Sequence, residues 1–192
     1  MKLKLMVAMI ALSAGAAQAV TLTFEGQANT IYNAPIVRSG YEIGNVAGDE
    51  QHFHEVDSTQ YGLTSNGTGI LLDDRLTRLY MTRQDSASFS LGNFDAAWYT
   101  GAGTVTVEGW LGGIQVGSFS FGVDSSGWKT LSGLSLGSVD RIVFDGRVGQ
   151  PNGMQFDNIN VGAVPEPESY ALMLAGLVGV AAAMRRRVGA KA

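Results

Sequence analysis

The chain has 192 residues, no cysteine, and 13 basic against 17 acidic residues. The lack of cysteine excludes disulfides, thiol catalysis and zinc–thiolate sites. Setting aside residues 1–19 and 164–192 leaves 7 basic and 15 acidic residues, so the middle of the chain has a net charge near −8. This charge is unsuited to the phosphates of nucleic acid and to anionic lipid surfaces, and it leaves carboxylates available to divalent cations.

The N-terminus has the layout of a secretory signal peptide. Lys2 and Lys4 precede a short apolar run at 5–14, and Ala17 and Ala19 frame a small-x-small cleavage site. A permanent membrane helix would need a longer apolar run. We therefore predict that a signal peptidase removes residues 1–19 and that the chain is exported across the inner membrane.

Residues 20–163 have the length of one ordinary domain and predict an all-β fold. Short stretches alternate apolar and polar residues, as in Thr104–Trp110, without helical periodicity. Gly112-Gly113 indicates a hairpin, and a switch of apolar parity predicts a β-bulge at Gly117–Ser118. Met154–Val161 is predicted to be the last strand. Short strands separated by turn residues favour a single jelly-roll-like β-sandwich.

The C-terminal region, residues 164–188, combines three features in a fixed order. Pro165, Glu166 and Pro167 interrupt regular structure, an uncharged apolar run follows at 170–184, and Arg185, Arg186 and Arg187 end it. As a helix the run is about 22 Å long, shorter than the roughly 30 Å of a bilayer core. The arginines favour the cytoplasmic side. The pattern predicts a short, temporary transmembrane helix.

This arrangement resembles the PEP-CTERM sorting signal of Gram-negative, biofilm-forming bacteria. In that family an exosortase, an integral-membrane cysteine transpeptidase-like enzyme, recognises the motif and removes the helix. Such proteins tend to be encoded alongside exopolysaccharide systems. The resemblance implies a transient inner-membrane anchor, processing by an exosortase, and delivery to the cell surface or extracellular matrix. It describes traffic and leaves the role of the exported body open.

A second resemblance concerns the two ends of the body. Thr23–Gly26 and Phe156–Ile159 are similar to the paired terminal strands of galactose-binding-like jelly-roll carbohydrate-binding modules. The resemblance implies a structural Ca²⁺ held by Glu25, Asp157 and backbone carbonyls, which suits a hard cation. The alternative is that Glu25 is a solvated strand residue and that Asp157 caps a turn.

Several side chains are candidates for binding. Trp98 and Trp110 are candidate glycan-stacking residues, because aromatic rings present apolar faces to the C–H surface of a sugar. The alternative places each tryptophan in the core. His52 and His54 would share one face of a strand and suit a metal, although a solvated loop is favoured. Gly133–Gly137 matches a nucleophile elbow but lacks the helix that this motif requires.

Three functions remain open. The preferred one is an exported, exosortase-processed surface or matrix protein whose non-catalytic sandwich binds exopolysaccharide or another glycan. The second is a small glycan hydrolase that uses a carboxylate pair. The third is a purely structural or adhesive surface protein without a small ligand.

Overall fold

The computed structural model describes residues 19–25, 29–59, 62–73, 75, 77–149, 153–163 and 174–179. Gln18–Val164 forms one compact unit. The described part of this unit contains fifteen strands: β1 (Ala19–Leu22), β2 (Thr30–Tyr32), β3 (Ile36–Arg38), β4 (Tyr41–Asn45), β5 (Phe53–Asp57), β6 (Gly69–Asp73), β7 (Arg78–Arg83), β8 (Phe89–Leu91), β9 (Phe94–Trp98), β10 (Ala102–Leu111), β11 (Ile114–Asp124), β12 (Lys129–Leu131), β13 (Arg141–Gly149), β14 (Met154–Asp157) and β15 (Ile159–Ala163).

The strands form two six-stranded antiparallel sheets and one small sheet. Sheet I has the order β12-β9-β14-β6-β5-β2, and sheet II has the order β11-β10-β13-β7-β4-β3. Sheet III has the order β1-β15-β8. The described strands therefore confirm the expected all-β sandwich architecture.

The main core is made by side chains that alternate with outward-facing residues along the strands. Phe94 and Phe156 of sheet I meet Phe144 of sheet II, with ring centroids 5.3 Å (Phe94–Phe144) and 4.9 Å (Phe144–Phe156) apart. All three rings are almost completely buried. Burial of each such side chain contributes about 1.5–3 kcal/mol, so this cluster holds the two sheets together.

The predicted hairpin joins β10 to β11. Gly112 and Gly113 have φ values of 58° and 78°, the left-handed backbone that a two-residue hairpin turn requires. Gly109 pairs with Gly117 and Trp110 with Gln115, so Val116 is an extra residue without a cross-strand partner. The predicted bulge is therefore present, one residue before the expected Gly117–Ser118.

The prediction of a single last strand at Met154–Val161 is wrong, because the segment forms two strands. Asn158 has a φ of 48°, and this left-handed residue divides the segment into β14 and β15. β14 lies in sheet I and β15 in sheet III, where it pairs with β1 through Ala19↔Gly162. The first and last strands of the body are thus neighbours, and Ala19 is the first residue of β1.

Residues 174–179 form a short helix in which Leu174, Leu177 and Val178 are exposed. Within the described ranges no helix has both the length and the hydropathy of a membrane span. Most of the expected signal peptide, including Ala17, lies outside the described residues. So do the sorting residues Pro165, Glu166, Pro167, Arg185, Arg186 and Arg187.

Candidate functional site

The outer surface of sheet II carries a group of aromatic and hydrogen-bonding side chains. In β10, Val105, Val107 and Gly109 are buried, so the residues between them, including Glu108 and Trp110, lie on the opposite, outward side. The strand register extends this surface across β13, β7 and β4. We call it the sheet II face, defined by Trp110, Arg141, Thr82, Glu42, Glu108 and Tyr80.

Two rows of residues cross the sheet II face. One row runs through Trp110, Arg141, Thr82 and Glu42, which are paired strand to strand. The next row places Glu108 and Tyr80 on either side of Val143. Because β10 and β7 are separated by one strand, the backbones at Trp110 and Tyr80 lie roughly 10–12 Å apart. The two half-buried aromatic side chains therefore lie along one diagonal of the same surface.

Tyr80 is held by contacts on three sides. Its hydroxyl donates a hydrogen bond of 2.5 Å to Glu42 Oε1, and the guanidinium carbon of Arg141 lies 4.9 Å from its ring centroid. Gly44 leaves room for the ring, since a Cβ there would lie 3.1 Å from Tyr80 Cε1 and 3.0 Å from Pro35 Cγ. Burial, and then the hydrogen bond to Glu42, raise the pKa of Tyr80 to about 12. The phenol is thus a neutral donor at physiological pH.

Trp110 is fixed by a hydrogen bond within its own strand. Its indole Nε1 donates to Glu108 Oε2 at 3.1 Å. The side chain is half-buried, so part of it remains accessible to solvent. This bond holds the orientation of the indole while the outward position of Trp110 leaves the ring available to a ligand. The expectation that Trp110 could contact a glycan is compatible with this position.

A depression of about 420 Å³ lies beside Tyr80 on the sheet II face. This volume is within the range of about 300–1,000 Å³ that small-molecule sites occupy. Arg141 Nε is buried there and has no hydrogen-bond partner among the described residues. The lining combines rings, amides, a hydroxyl and a guanidinium: Pro35, Asn45, Ala47, Gln51, Tyr80, Thr82 and Arg141.

Trp98 does not belong to this surface. It is 0% exposed and lies in the main core. A Cβ at Gly103 would lie 2.4 Å from its ring, so the glycine lets the indole pack against β10. The expectation that Trp98 stacks on a glycan is therefore wrong, because no part of its ring reaches solvent.

Glu25 and Asp157 lie at the end of the sandwich where the body begins and finishes. Asp157 is fully buried and accepts hydrogen bonds from Asn66 Nδ2 (2.7 Å), Thr68 Oγ1 (2.8 Å) and its neighbour Asn158 N (2.7 Å). Burial raises the pKa of Asp157, and the negative charge of Glu25 raises it further. The two carboxylates are thus close enough to repel each other.

Glu25 occupies a turn after β1 rather than the strand itself. Its Oε2 accepts a hydrogen bond of 3.2 Å from Gly69 N. Within the described residues no three His, Cys, Asp or Glu side chains are arranged to hold a metal ion. A calcium site here would therefore need carbonyl or hydroxyl oxygens besides the two carboxylates, as the resemblance implies.

The histidine pair lies at the beginning of β5. The Nε2 atoms of His52 and His54 are 2.9 Å apart, so one ring donates a hydrogen bond to the other. Their rings meet edge to face with centroids 4.8 Å apart. His54 lies on β5 and His52 is the residue before this strand begins, so the two rings contact each other although only one of them belongs to the strand.

The C-terminal pattern is matched by a family model. The model of the PEP-CTERM protein-sorting motif covers residues 163–187, which include all six predicted sorting residues. The chain carries a PEP-CTERM sorting motif. The PEP-CTERM motif implies an exported, exosortase-processed surface protein. Comparison with curated protein sequences found no match.

The body that precedes the sorting motif is similar in fold to solved β-sandwiches. The K2 cleaved adhesin domain of Lys-gingipain is 14% identical, with 77% of this chain and 100% of that domain covered and a TM-score of 0.50. A mutant of a family 29 carbohydrate-binding module is 17% identical, with 76% and 92% covered and a TM-score of 0.44. Another mutant of that module, solved with mannohexaose, has 17% identity, 76% and 92% coverage and a TM-score of 0.42. At these identities the likeness concerns the fold.

The sequence alone identified one residue of the sheet II face, Trp110. The other members, Tyr80, Arg141, Glu42, Thr82 and Glu108, come from four strands that are distant along the chain. The available signal was parity: Glu108 and Trp110 are out of phase with the buried valines of β10, and this places both outward.

Proposed function

We propose that this exported protein is a non-catalytic glycan-binding protein of the cell surface or extracellular matrix. An exosortase removes its C-terminal helix after a transient stay in the inner membrane. The sandwich then binds exopolysaccharide or a related glycan on the sheet II face. The observation that carries the proposal is the placement of Trp110 and Tyr80 on one outward surface, beside a depression lined by hydrogen-bonding groups.

The chemistry of the sheet II face suits a sugar chain. A pyranose presents apolar C–H groups on its ring faces and hydroxyl groups around its edge, and aromatic rings match the former. Arg141, Thr82 and Gln51 offer donors and acceptors to the latter.

The carboxylates of the face favour binding over hydrolysis. Glu42 accepts the Tyr80 hydroxyl, and Glu108 accepts the Trp110 indole N–H. Asp145 is paired with Arg147, which lowers its pKa against the opposing effect of burial. A glycosidase needs a general acid with a raised pKa opposite a second carboxylate. Asp157, whose pKa is raised, belongs to sheet I.

The test is a glycan array followed by titration calorimetry of the processed protein with the best ligand. Trp110→Ala should weaken binding about tenfold or more, a loss of about 1.4 kcal/mol, while Trp110→Phe retains most of the affinity. Val148→Ala is the control, since Val148 is 67% exposed near the far end of β13. Full affinity in Trp110→Ala would contradict binding at the sheet II face. Release of new reducing ends from the glycan would favour the alternative function, a glycan hydrolase.

Processing has a test of its own. Mass spectrometry of the mature protein should find an N-terminus at Val20 and a C-terminus near Pro165–Pro167. A mature product that retains Arg185, Arg186 and Arg187 would contradict exosortase processing. Neither result depends on whether the sandwich binds a glycan, so traffic and ligand are judged separately.

The proposal includes a structural calcium ion between Glu25 and Asp157. Its support is the electrostatic repulsion between the two carboxylates, one of them fully buried, which a divalent cation would relieve. The hydroxyl oxygen of Thr68 lies beside Asp157 and would add a third oxygen ligand. Asn66 presents its Nδ2 to Asp157, while its Oδ1 accepts from Thr68 N, so backbone carbonyls would supply the remaining oxygen ligands. The ion would clip the β14–β15 junction to the turn after β1.

A further inference from the structure

β11 is an edge strand of sheet II. Among the described strands it pairs only with β10. In every second residue along its 11 residues, the backbone N–H and C=O therefore point away from β10, toward the open edge of the sheet. Natural edge strands are usually kept short or carry Lys, Pro or a central bulge, because an open edge invites pairing with another chain. Residues 114–123 contain no charge and no proline, and the bulge at Val116 leaves Gly117–Asp124 in unbroken register.

The regular part of β11 is nearly palindromic. It reads Gly-Ser-Phe-Ser-Phe-Gly-Val from 117 to 123, with Ser120 at the centre. In an antiparallel pair of two copies about a two-fold axis at Ser120, Phe119 faces the partner's Phe121, and Ser118 faces the partner's Gly122. A two-fold interface needs such self-complementarity, because the same patch is used on both copies.

The side chains of β11 fit this pairing on both faces of the sheet. Phe119 and Phe121 are half-buried and pack against the main core at the open side of the sandwich. In the pair, each phenylalanine would cover the exposed part of its counterpart, and cross-strand aromatic pairs stabilise sheets by about 0.2–1 kcal/mol each. On the outer face Ser118, Ser120 and Gly122 are small and exposed, so two strands approach without steric conflict.

Charge also directs a second copy to this strand. The body has a net charge near −8, so two copies repel each other electrostatically unless they meet at a neutral surface. The segment 117–123 is neutral, and Asp124 at its end is paired with Lys129 at 3.0 Å. With the axis at Ser120, Asp124 lies opposite the partner's Val116 rather than opposite another acid.

We infer that β11 is a dimerisation strand through which two copies of this chain join their sheets II edge to edge around Ser120. The contact is small, so the dimer is of the weak, transient class. It is strengthened when both copies are held on one surface, where their effective concentration is high. If the sheet II face binds glycan as proposed above, pairing makes one continuous surface from two faces. That consequence rests on the proposed function, whereas the pairing itself does not.

The absence of cysteine allows a direct test of the register. Ser120→Cys would place the only two thiols of the dimer opposite each other, with Cα atoms about 4.5–5.5 Å apart, within the disulfide range. We expect mild oxidation of the processed protein to link Ser120→Cys rapidly into a dimer. Ser118→Cys should link more slowly, because it faces the partner's Gly122. Ser135→Cys is the control, an exposed loop serine outside β11 that should stay monomeric.

A charge exchange tests the association itself. In sedimentation velocity the unmodified protein and Ser135→Lys should associate as concentration rises. Ser120→Lys and Ser120→Glu should each remain monomeric, because like charges would meet on the axis, and an equimolar mixture should associate again. Recovery in the mixture shows that both variants are folded. A monomeric unmodified protein, unchanged association of Ser120→Lys, or a monomeric mixture would overturn the inference. No glycan enters these measurements, so their failure and that of the proposed ligand are distinguishable.

Discussion

An ion pair closes one side of the sandwich, and its two partners should respond very differently to mutation. Arg38 lies on β3 of sheet II, while Glu55 lies on β5 of sheet I. Arg38 Nε donates to Glu55 Oε1 at 2.7 Å, and a second guanidinium N–H donates to Glu55 Oε2. Tyr32 on β2 donates its hydroxyl to the same carboxylate at 2.8 Å. The side chain of Arg38 is 26% exposed and that of Glu55 is 0% exposed.

This difference in exposure sets the expected magnitudes. Arg38→Ala leaves a buried carboxylate without its counter-charge, and such losses cost about 3–5 kcal/mol. Glu55→Gln leaves a guanidinium that still reaches water, and the amide oxygen still accepts a hydrogen bond. The expected loss is therefore smaller, about 1–3 kcal/mol. The arginine variant should be the less stable of the two, although both remove the same pair.

Urea unfolding of the processed protein measures both free energies, provided that the m-value is unchanged. Arg83→Ala is the matched control. Arg83 is about as exposed as Arg38, 23% against 26%, but its partner Asp85 is 58% exposed, so this variant should lose little stability. If Arg38→Ala costs no more than Glu55→Gln, burial of the carboxylate does not govern the pair. A large loss in Arg83→Ala would likewise refute the reasoning.

Three further predictions concern other parts of the body. Gly69→Ala should destabilise by about 1–3 kcal/mol or more, because the new Cβ would lie 2.2 Å from the carbonyl oxygen of Phe24. Gly122→Ala is the control, because a Cβ at Gly122 would have no atom within 4 Å. Equal unfolding midpoints for the two variants would contradict the prediction for Gly69. The pKa of Tyr80 is raised from 10.0 to about 12, so the unfolded chain loses this proton first as pH rises. The free energy of unfolding should therefore fall between pH 10 and pH 12 by more than it does in Tyr80→Phe. Unfolding midpoints of the two proteins that change in parallel over this pH range would disprove the prediction. Calcium at about 100 times its Kd should stabilise by about 2.7 kcal/mol over chelator. Asp157→Asn should abolish the calcium-dependent shift in Tm, and a protein indifferent to calcium would exclude the ion.

The local features of the fold could be predicted from sequence, because short-range chemistry specifies them. Gly112-Gly113 between two alternating stretches placed the hairpin, and the parity switch placed the bulge to within one residue. The break at Asn158 was missed, since Met154–Val161 looks like one strand and only a left-handed asparagine divides it. Nothing in the local pattern indicates that the two halves belong to different sheets.

The candidate site was less accessible to sequence because it is assembled by register. Trp98 and Trp110 look alike as isolated tryptophans, but Trp98 shares the parity of Phe94 and Ala96 and is buried with them. Tyr80 and Arg141 come from separate strands, and only the pairing of β7 with β13 brings them together. The same holds for Arg38 and Glu55, which lie in different sheets.

The antiparallel pairing of β1 with β15 sets where the exported body is attached. Ala19 lies opposite Gly162, so the residue before the expected signal-peptidase cut and the beginning of the sorting motif are about one strand spacing apart. During export the body would be tethered by both of its ends at a single pole. After the first cut the remaining tether leaves from that same pole. A second cut at the sorting motif would then release the body at this same end.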